Sequence, residues 1–428
     1  METYSARDQK LIWHPFTQEK IADPVLPIVR GKGSYLFDEN GNSYLDLVSS
    51  WWVNLHGHAH PDIAQSIYKQ ALELEHVIFA GCTHPPAIEL CEKLSDLLPS
   101  SLRRFFFSDN GSTAVEVSLK LAYQYWQNRG ETARKSFISL EGGYHGDTFG
   151  AMAVGKSSRF HDAFSDILFP VFTIPFPNTW LSDTTVQERE DGALSQLEEY
   201  LKASGKQVAA LILEPLIQGA SGMRMARPNF FERVIKMVRE YDILVIFDEV
   251  MTGFGRTGTT FALSQLSEKP DFLCISKGIT GGFMPLALTV TTESIYECFL
   301  STEWSKAFAH GHSYTANPLA CSAALASLKL LLSAGTQNSI ASIQNSHVLG
   351  LEEIQKRCGN VSQVRTLGTI AAMEIEESPP FLKEMVRELL KKGLILRPLG
   401  KTIYLIPPYS ITPKELERSY EEILNCLV

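Results

Sequence analysis

No two of the seven cysteines (Cys82, Cys91, Cys274, Cys298, Cys321, Cys358, Cys426) stand in a CxxC pair, and their number is odd. That excludes a disulfide framework or a zinc ribbon as the organising element, and reads as reduced, mostly buried thiols in a cytoplasmic protein. No apolar run approaches the roughly 18 residues that a membrane span needs. The first ten residues are polar and mixed in charge, without the apolar core of a signal peptide. No block of like charge occurs and the net charge is −9, so nucleic-acid binding through a basic surface is not expected. Repeats and low-complexity segments are absent as well. What remains is 428 residues with 44% hydrophobic and 20% charged side chains, an ordinary globular balance. Such a chain can bury a large core, divided into one large and one smaller domain.

Short apolar runs mark the elements. Tyr35–Asp38 and Tyr44–Leu47 flank Asn40-Gly41, which predicts a hairpin. From about residue 100 to 330, strand-length runs alternate with helical segments: Phe105–Phe107, Ser136–Leu140, Val208–Leu213, Ile243–Phe247, Phe272–Ile275 and Leu286–Thr291. Runs apolar on both faces predict a mostly parallel sheet covered by helices on both sides, with ligands gathering beyond its carboxyl ends. The polar insert 175–192 reads as a surface loop. Near the C-terminus, Leu394–Arg397 and Thr402–Ile406 around Gly400-Lys401 predict a second hairpin. Thr412-Pro413-Lys-Glu415 then opens a helix with a capping box. Its buried stripe is expected to be Leu416, Tyr420, Ile423, Leu424 and Leu427. The expected division is 1–60 as an N-terminal part of the small domain, 61–334 as the large domain and 335–428 as the rest of the small one.

Four segments carry chemistry. The Ile243–Phe247 run ends in Asp248, a carboxylate where such a sheet places its ligands; a cap on the next turn is the plainer alternative. The next strand ends in Lys277, followed by glycines, and a lysine desolvated there is a candidate for bonding an aldehyde. A simple Lys277–Asp248 ion pair is the alternative. Gly111, Ser112 and Thr113 open a helix after a strand, offering free N–H groups and hydroxyls to a phosphate, although such residues also cap many helices. Tyr144 stands among glycines (Gly142, Gly143, Gly146), where its ring can stack on a flat cofactor or pack in the core.

With these segments in this order, the chain resembles the fold-type I pyridoxal-phosphate enzymes and, within them, the class III aminotransferases. The stretch from Asp248 through the Gly-Phe-Gly-Arg-Thr run to Gly258, then Ser276-Lys277-Gly278-Ile279-Thr280-Gly281-Gly282, matches the family's order and spacing. The likeness runs from Leu11 to Pro408. It implies an α/β fold, a mostly parallel sheet with helices on both faces plus a smaller α+β domain, and pyridoxal 5'-phosphate as cofactor. It further implies Lys277, Asp248 and Tyr144 as the catalytic residues. Lys277 would bond the aldehyde, Asp248 pair with the ring nitrogen, Tyr144 lie against the ring, and Gly111 and Ser112 hold the phosphate. The 310–321 segment is similar to a family loop that reaches the phosphate of the neighbouring subunit. His312 (by its N–H) and Ser313, where many members have Thr, would then complete that site across a homodimer.

Three further segments, 12–18, 49–52 and 396–408, are similar to the 7,8-diaminononanoate synthases of biotin formation. Those enzymes transfer an amino group to 8-amino-7-oxononanoate, commonly from S-adenosylmethionine. The resemblance implies Phe16, Trp51, Trp52, Tyr144, Gly311 and Arg397 as substrate-binding residues. Aromatic walls suit a long hydrocarbon chain, and a bidentate arginine suits its carboxylate; core packing is the alternative for the tryptophans. Phe16 stands where many relatives have Tyr, and the mixture of Phe-Thr-Gln with His-Gly-His-Ser-Tyr also occurs in lysine-using members. Lysine is therefore an alternative donor to the same acceptor, and another class III omega-amino acid transaminase an alternative enzyme. Ala220 favours the biotin branch, since ornithine and 4-aminobutyrate transaminases have Glu there. A cofactor-binding regulator is disfavoured by the lack of a basic DNA-binding domain. His56, His58 and His60 have no Cys near them in sequence, and no metal is expected.

Overall fold

The computed structural model describes residues 2–155 and 159–428. Its centre is a seven-stranded sheet in the order Leu102–Ser108, Ala287–Thr292, Phe272–Ile275, Leu244–Asp248, Val208–Leu213, Ser136–Leu140, Phe172–Ile174. All neighbours run parallel except Ala287–Thr292, which is antiparallel to both strands beside it. The period-2 alternation of the apolar runs accounts for both covered faces. Leu244 and Ile246 pack with Ala114, Leu119 and Trp126 on one side, while Val245 and Phe247 pack with Phe230, Val234 and Ile235 on the other. The helix Pro228–Arg239 buries Phe230, Phe231, Val234, Ile235 and Val238, each worth about 1.5–3 kcal/mol when fully removed from water. That burial fixes the strand beside it, and with it the place of Asp248.

The chain ends meet in a four-stranded sheet. Tyr35–Asp38 and Ser43–Asp46 form the predicted hairpin, with Gly41 at φ +85° in its turn. Leu394–Ile395 joins it in parallel, opposite Leu45 and Asp46. A second small sheet joins Val361–Leu367, Ile370–Ile375 and Thr402–Leu405. Pro413–Leu427 carries the predicted capping box, with Thr412 and Glu415 bonding reciprocally, and all five residues of its expected stripe are buried.

Two expectations are corrected. Leu394–Arg397 and Thr402–Ile406 do not form a hairpin. Leu399 and Thr402 exchange backbone bonds across the Gly400 turn, but pairing stops there because the two runs are drawn into different sheets. The 175–192 insert is not all loop, because the helix Val186–Ser204 begins inside it. The polarity of that stretch misleads: Glu190 is fully buried, with Arg227 bonding both its oxygens at 2.5 and 2.7 Å, and Val186, Ala193 and Leu194 are buried on the same helix.

Candidate active site

Asp248 and Lys277 end adjacent parallel strands. Asp248 pairs in register with Cys274, so the lysine emerges just past the level of the carboxylate. Lys277 starts a short turn at φ +45°, a left-handed conformation that a side-chain-bearing residue adopts only when its surroundings enforce it. Its amine lies 4.7 Å from the centre of the Trp52 ring, and among the described residues no carboxylate approaches it within 4 Å. The simple Lys277–Asp248 ion pair is thus not made. Burial holds the Lys277 amine below the ordinary lysine range, against the opposing pull of Asp248 and Glu214.

Asp248 is instead engaged from behind. Its Oδ2 lies 2.7 Å from His145 Nδ1, and its Oδ1 accepts from the Val250 N–H at 3.0 Å. Burial disfavours the His145 imidazolium, but the bond to Asp248 and the charges of Asp248 and Glu214 outweigh it and raise this histidine above its usual range. A third strand, Val208–Leu213, ends at Glu214. Its two oxygens accept the N–H groups of Tyr144 and Gly219 at 3.1 and 3.0 Å. Burial pushes the Glu214 carboxyl up to about 7, with His145 opposing and Asp248 assisting.

These groups line one cavity of about 440 Å³, together with Trp52, Asp109, Asn110, Gly111, Ser112, Tyr144, Gly146, Val250, Met251 and Ser276. At one end of it the helix Gly111–Asn128 begins, capped by Asn110, whose side chain bonds Thr113. The first turn leaves backbone N–H groups without intrahelical partners. Space there is tight: a Cβ on Gly111 would come 2.7 Å from Val250 Cγ1, and one on Gly146 would come 1.9 Å from Ser112 Oγ. Val250 and Ser112 can therefore pack against the backbone at the rim of the cavity only because these two positions are glycine. Tyr144 lines the same cavity, donates its hydroxyl to Asp147 Oδ2 at 2.9 Å and stacks with His161.

The aromatic and cationic residues near the termini divide. Trp52 is 4% exposed, lines the cavity and bonds Tyr404 through its indole N–H at 3.1 Å. It packs with Ile217, Met223 and Met251, so it is both core and cavity wall. Trp51 is 38% exposed and does not line the cavity. The Arg397 guanidinium lies 4.2 Å from its ring centre, and Phe16 meets it edge-on at 5.6 Å. Phe16, Trp51 and Arg397 thus form one cluster that is not among the residues lining the cavity.

Gly311, His312 and Ser313 are not brought into this chain's cavity either. Gly311 and Ser313 are exposed, and the link to the rim is His312 Nδ1, 3.4 Å from Asp109 Oδ2. The three imidazoles at 56, 58 and 60 have separate partners: Ser327, Asp46 and the N–H of Asp62. Reading the sequence missed His145 and the position of Glu214. Both had a signal. His145 follows Tyr144 within the same glycine cluster, and Glu214 ends a buried strand just as Asp248 does.

The class III aminotransferase model matches residues 17–427. The adenosylmethionine-8-amino-7-oxononanoate aminotransferase of Synechococcus elongatus is 48% identical over 97% of this chain and 98% of its own length. The enzyme of the same name from Staphylococcus aureus is 39% identical over 96% and 94%. Among solved structures, that from Methanocaldococcus jannaschii superposes with a TM-score of 0.90 at 39% identity, covering 98% of this chain and 97% of that one. An amine transaminase from an uncultivated Pseudomonas species, in a PLP-bound form, gives 0.91 at 31%, covering 97% and 98%. The cavity fits that cofactor. A glycine-lined helix start suits its phosphate, a buried carboxylate its ring nitrogen, and an amine that no carboxylate pairs among the described residues its aldehyde.

Proposed function

As the chain belongs to the class III aminotransferases, we propose that it converts 8-amino-7-oxononanoate to 7,8-diaminononanoate in biotin formation, with S-adenosylmethionine as amino donor and pyridoxal phosphate at Lys277. The full-length likeness to enzymes named for that acceptor and that donor carries this reading. Bound in the cavity, pyridoxal phosphate supplies an aldehyde that takes up the amino group and a ring that draws electrons from the neighbouring carbon. The chain's own residues do the rest. Lys277 Nζ, whose charged form burial disfavours, would take the proton from the donor's amino-bearing carbon and return it at the aldehyde carbon. Asp248 holds the proton on the ring nitrogen, and His145 fixes the carboxylate's orientation from behind. Gly111 and Ser112 bind the phosphate. Trp52 keeps water from Lys277, and Tyr144 flanks the reacting atoms.

Donor and acceptor use the site in turn, so one cation serves both carboxylates. Arg397 is assigned that part, with Trp51 and Phe16 beside the acceptor's hydrocarbon chain and Gly311 at its far edge. The enzyme is assigned as a cytoplasmic homodimer in which His312 and Ser313 of one subunit reach the phosphate of the other; the exposure of Gly311, Ser313 and Tyr314 in the single chain supports this. The test is to mix the cofactor-loaded protein with S-adenosylmethionine or lysine, then with 8-amino-7-oxononanoate, and to detect the diamine by mass spectrometry. Diamine formed with S-adenosylmethionine is expected. Diamine formed with lysine alone would transfer the reading to the other donor, and no diamine with either would end it.

A further inference from the structure

The two tryptophans are displayed by a turn whose backbone angles its residues do not favour, although the N–H groups of Trp52, Val53 and Asn54 bond the Val48 and Ser49 carbonyls within it. Ser49, Ser50 and Trp52 have φ of +51°, +60° and +66°, with Trp51 between them at φ −138° and ψ 58°. No glycine relieves the run, so these angles call for support beyond the turn's own backbone bonds. The supporting group is Asp46, the last residue of the Ser43–Asp46 strand, which is fully buried. Its Oδ1 accepts the Val48 N–H at 3.0 Å, and its Oδ2 accepts the Ser50 N–H at 2.6 Å. Oδ2 also meets His58 Nε2 at 3.0 Å.

The network fixes which way His58 faces. The Gly57 N–H donates to Asn54 Oδ1 at 2.8 Å, so the Asn54 amide nitrogen is the atom that meets His58 Nδ1 at 3.2 Å. Nδ1 therefore accepts, and Nε2 carries the proton given to Asp46. On the far side Ser49 Oγ bonds the Ile406 carbonyl at 2.7 Å, tying the turn to the C-terminal segment.

We propose that Asp46 is a positioning residue for amino-group transfer. Its carboxylate, oriented by His58, holds the Ser49–Trp52 turn so that Trp52 faces the Lys277 amine and Trp51 faces Arg397. The part concerning transfer rests on the function proposed above; the part concerning the turn does not. The Trp52 face stabilises a positive charge on the Lys277 nitrogen. Asp248, Glu214 and Arg256 also bear on that nitrogen, and His145 contacts Asp248. Asp46 also bears on Arg256, whose guanidinium bonds the Trp52 and Asn54 carbonyls, so the ring's share is the part of the shift that disappears once Trp52 is leucine.

The experiment is a double-mutant cycle with Asp46→Asn and Trp52→Leu, read as the pH midpoint of the bound cofactor's absorbance. Asparagine keeps the shape but presents an amide N–H to one of the donors that the carboxylate had accepted. Each single variant should lower the midpoint by about half a unit, and the double variant should shift no further than Trp52→Leu alone. The KM for 8-amino-7-oxononanoate should rise about tenfold in Asp46→Asn. Additive shifts, or a midpoint unchanged in Asp46→Asn, would overturn the proposal. Should Asp46→Asn not fold, His58→Leu and His58→Gln replace it: glutamine restores a donor to Asp46 and should restore the midpoint, leucine should not, and equal midpoints in the two contradict the clamp. The spectrum needs only bound cofactor, so a wild-type band that titrates while no diamine forms would refute the substrates and leave this proposal standing.

Discussion

The cavity has two walls built in different ways. The sheet wall carries Asp248, Glu214 and Lys277 at the ends of three neighbouring parallel strands, whose register is set by fully buried side chains on both faces. The terminal wall is Trp52, backed outside the cavity by the cluster of Trp51, Phe16 and Arg397; these come from segments far apart in sequence, held by a strained turn, a two-residue strand and single hydrogen bonds. Groups that act on the reacting atoms belong where the backbone cannot move; groups that recognise a substrate can sit on the less rigid side. Changes in the sheet wall should therefore reduce the rate of chemistry, and changes in the terminal wall should alter substrate affinity.

The largest effect expected is that of Lys277→Ala, which should slow both half-reactions by about 10⁴-fold or more in single-turnover assays. A variant that kept the wild-type rate would dissolve the distinction between the walls. Next, Asp248→Asn should lower kcat by about 10²–10³-fold with little change in KM, since the amide cannot balance a protonated ring nitrogen. A change confined to KM would place Asp248 with the recognition groups. On the terminal wall, Arg397→Ala should raise KM for both substrates by about 10–100-fold, the equivalent of one lost charge-assisted bond. A normal KM for the keto acid would remove Arg397 from the assigned role.

The smallest effect concerns Glu214. Its carboxyl is raised to about 7 in the folded chain from an ordinary value near 4.5. Between those values the native state holds a proton that the unfolded state has released, so this group's contribution to stability is complete below about pH 4.5 and is lost as pH rises towards 7. Glu214→Gln should flatten the fall in Tm of the cofactor-free protein over that interval by a few degrees. An unchanged slope would show that the carboxyl is already ionised when folded.

The same contrast explains what the sequence made legible. Asp248 and Lys277 could be read because an apolar run that ends in a charged residue reports both a strand and its end. The helix Pro413–Leu427 could be read because its cap and its stripe are local. The region 394–406 could not, because the choice of sheet depends on the N-terminal hairpin, whose Ser43–Asp46 strand claims Leu394–Ile395. The helix beginning at Val186 was hidden by a buried Glu190, whose partner Arg227 lies on another segment. His145 was overlooked beside Tyr144 because nothing local indicates that its ring reaches back to Asp248. The separation of Trp51 from Trp52, one facing out and one facing in, follows from backbone angles that no residue preference encodes.

The most direct measurement is to reduce the cofactor-loaded protein with borohydride, digest it and locate the added mass. The account predicts the pyridoxyl phosphate group on Lys277 and on no other lysine. A modified peptide that lacks Lys277, or a protein that takes up the cofactor without any covalent bond, would contradict it.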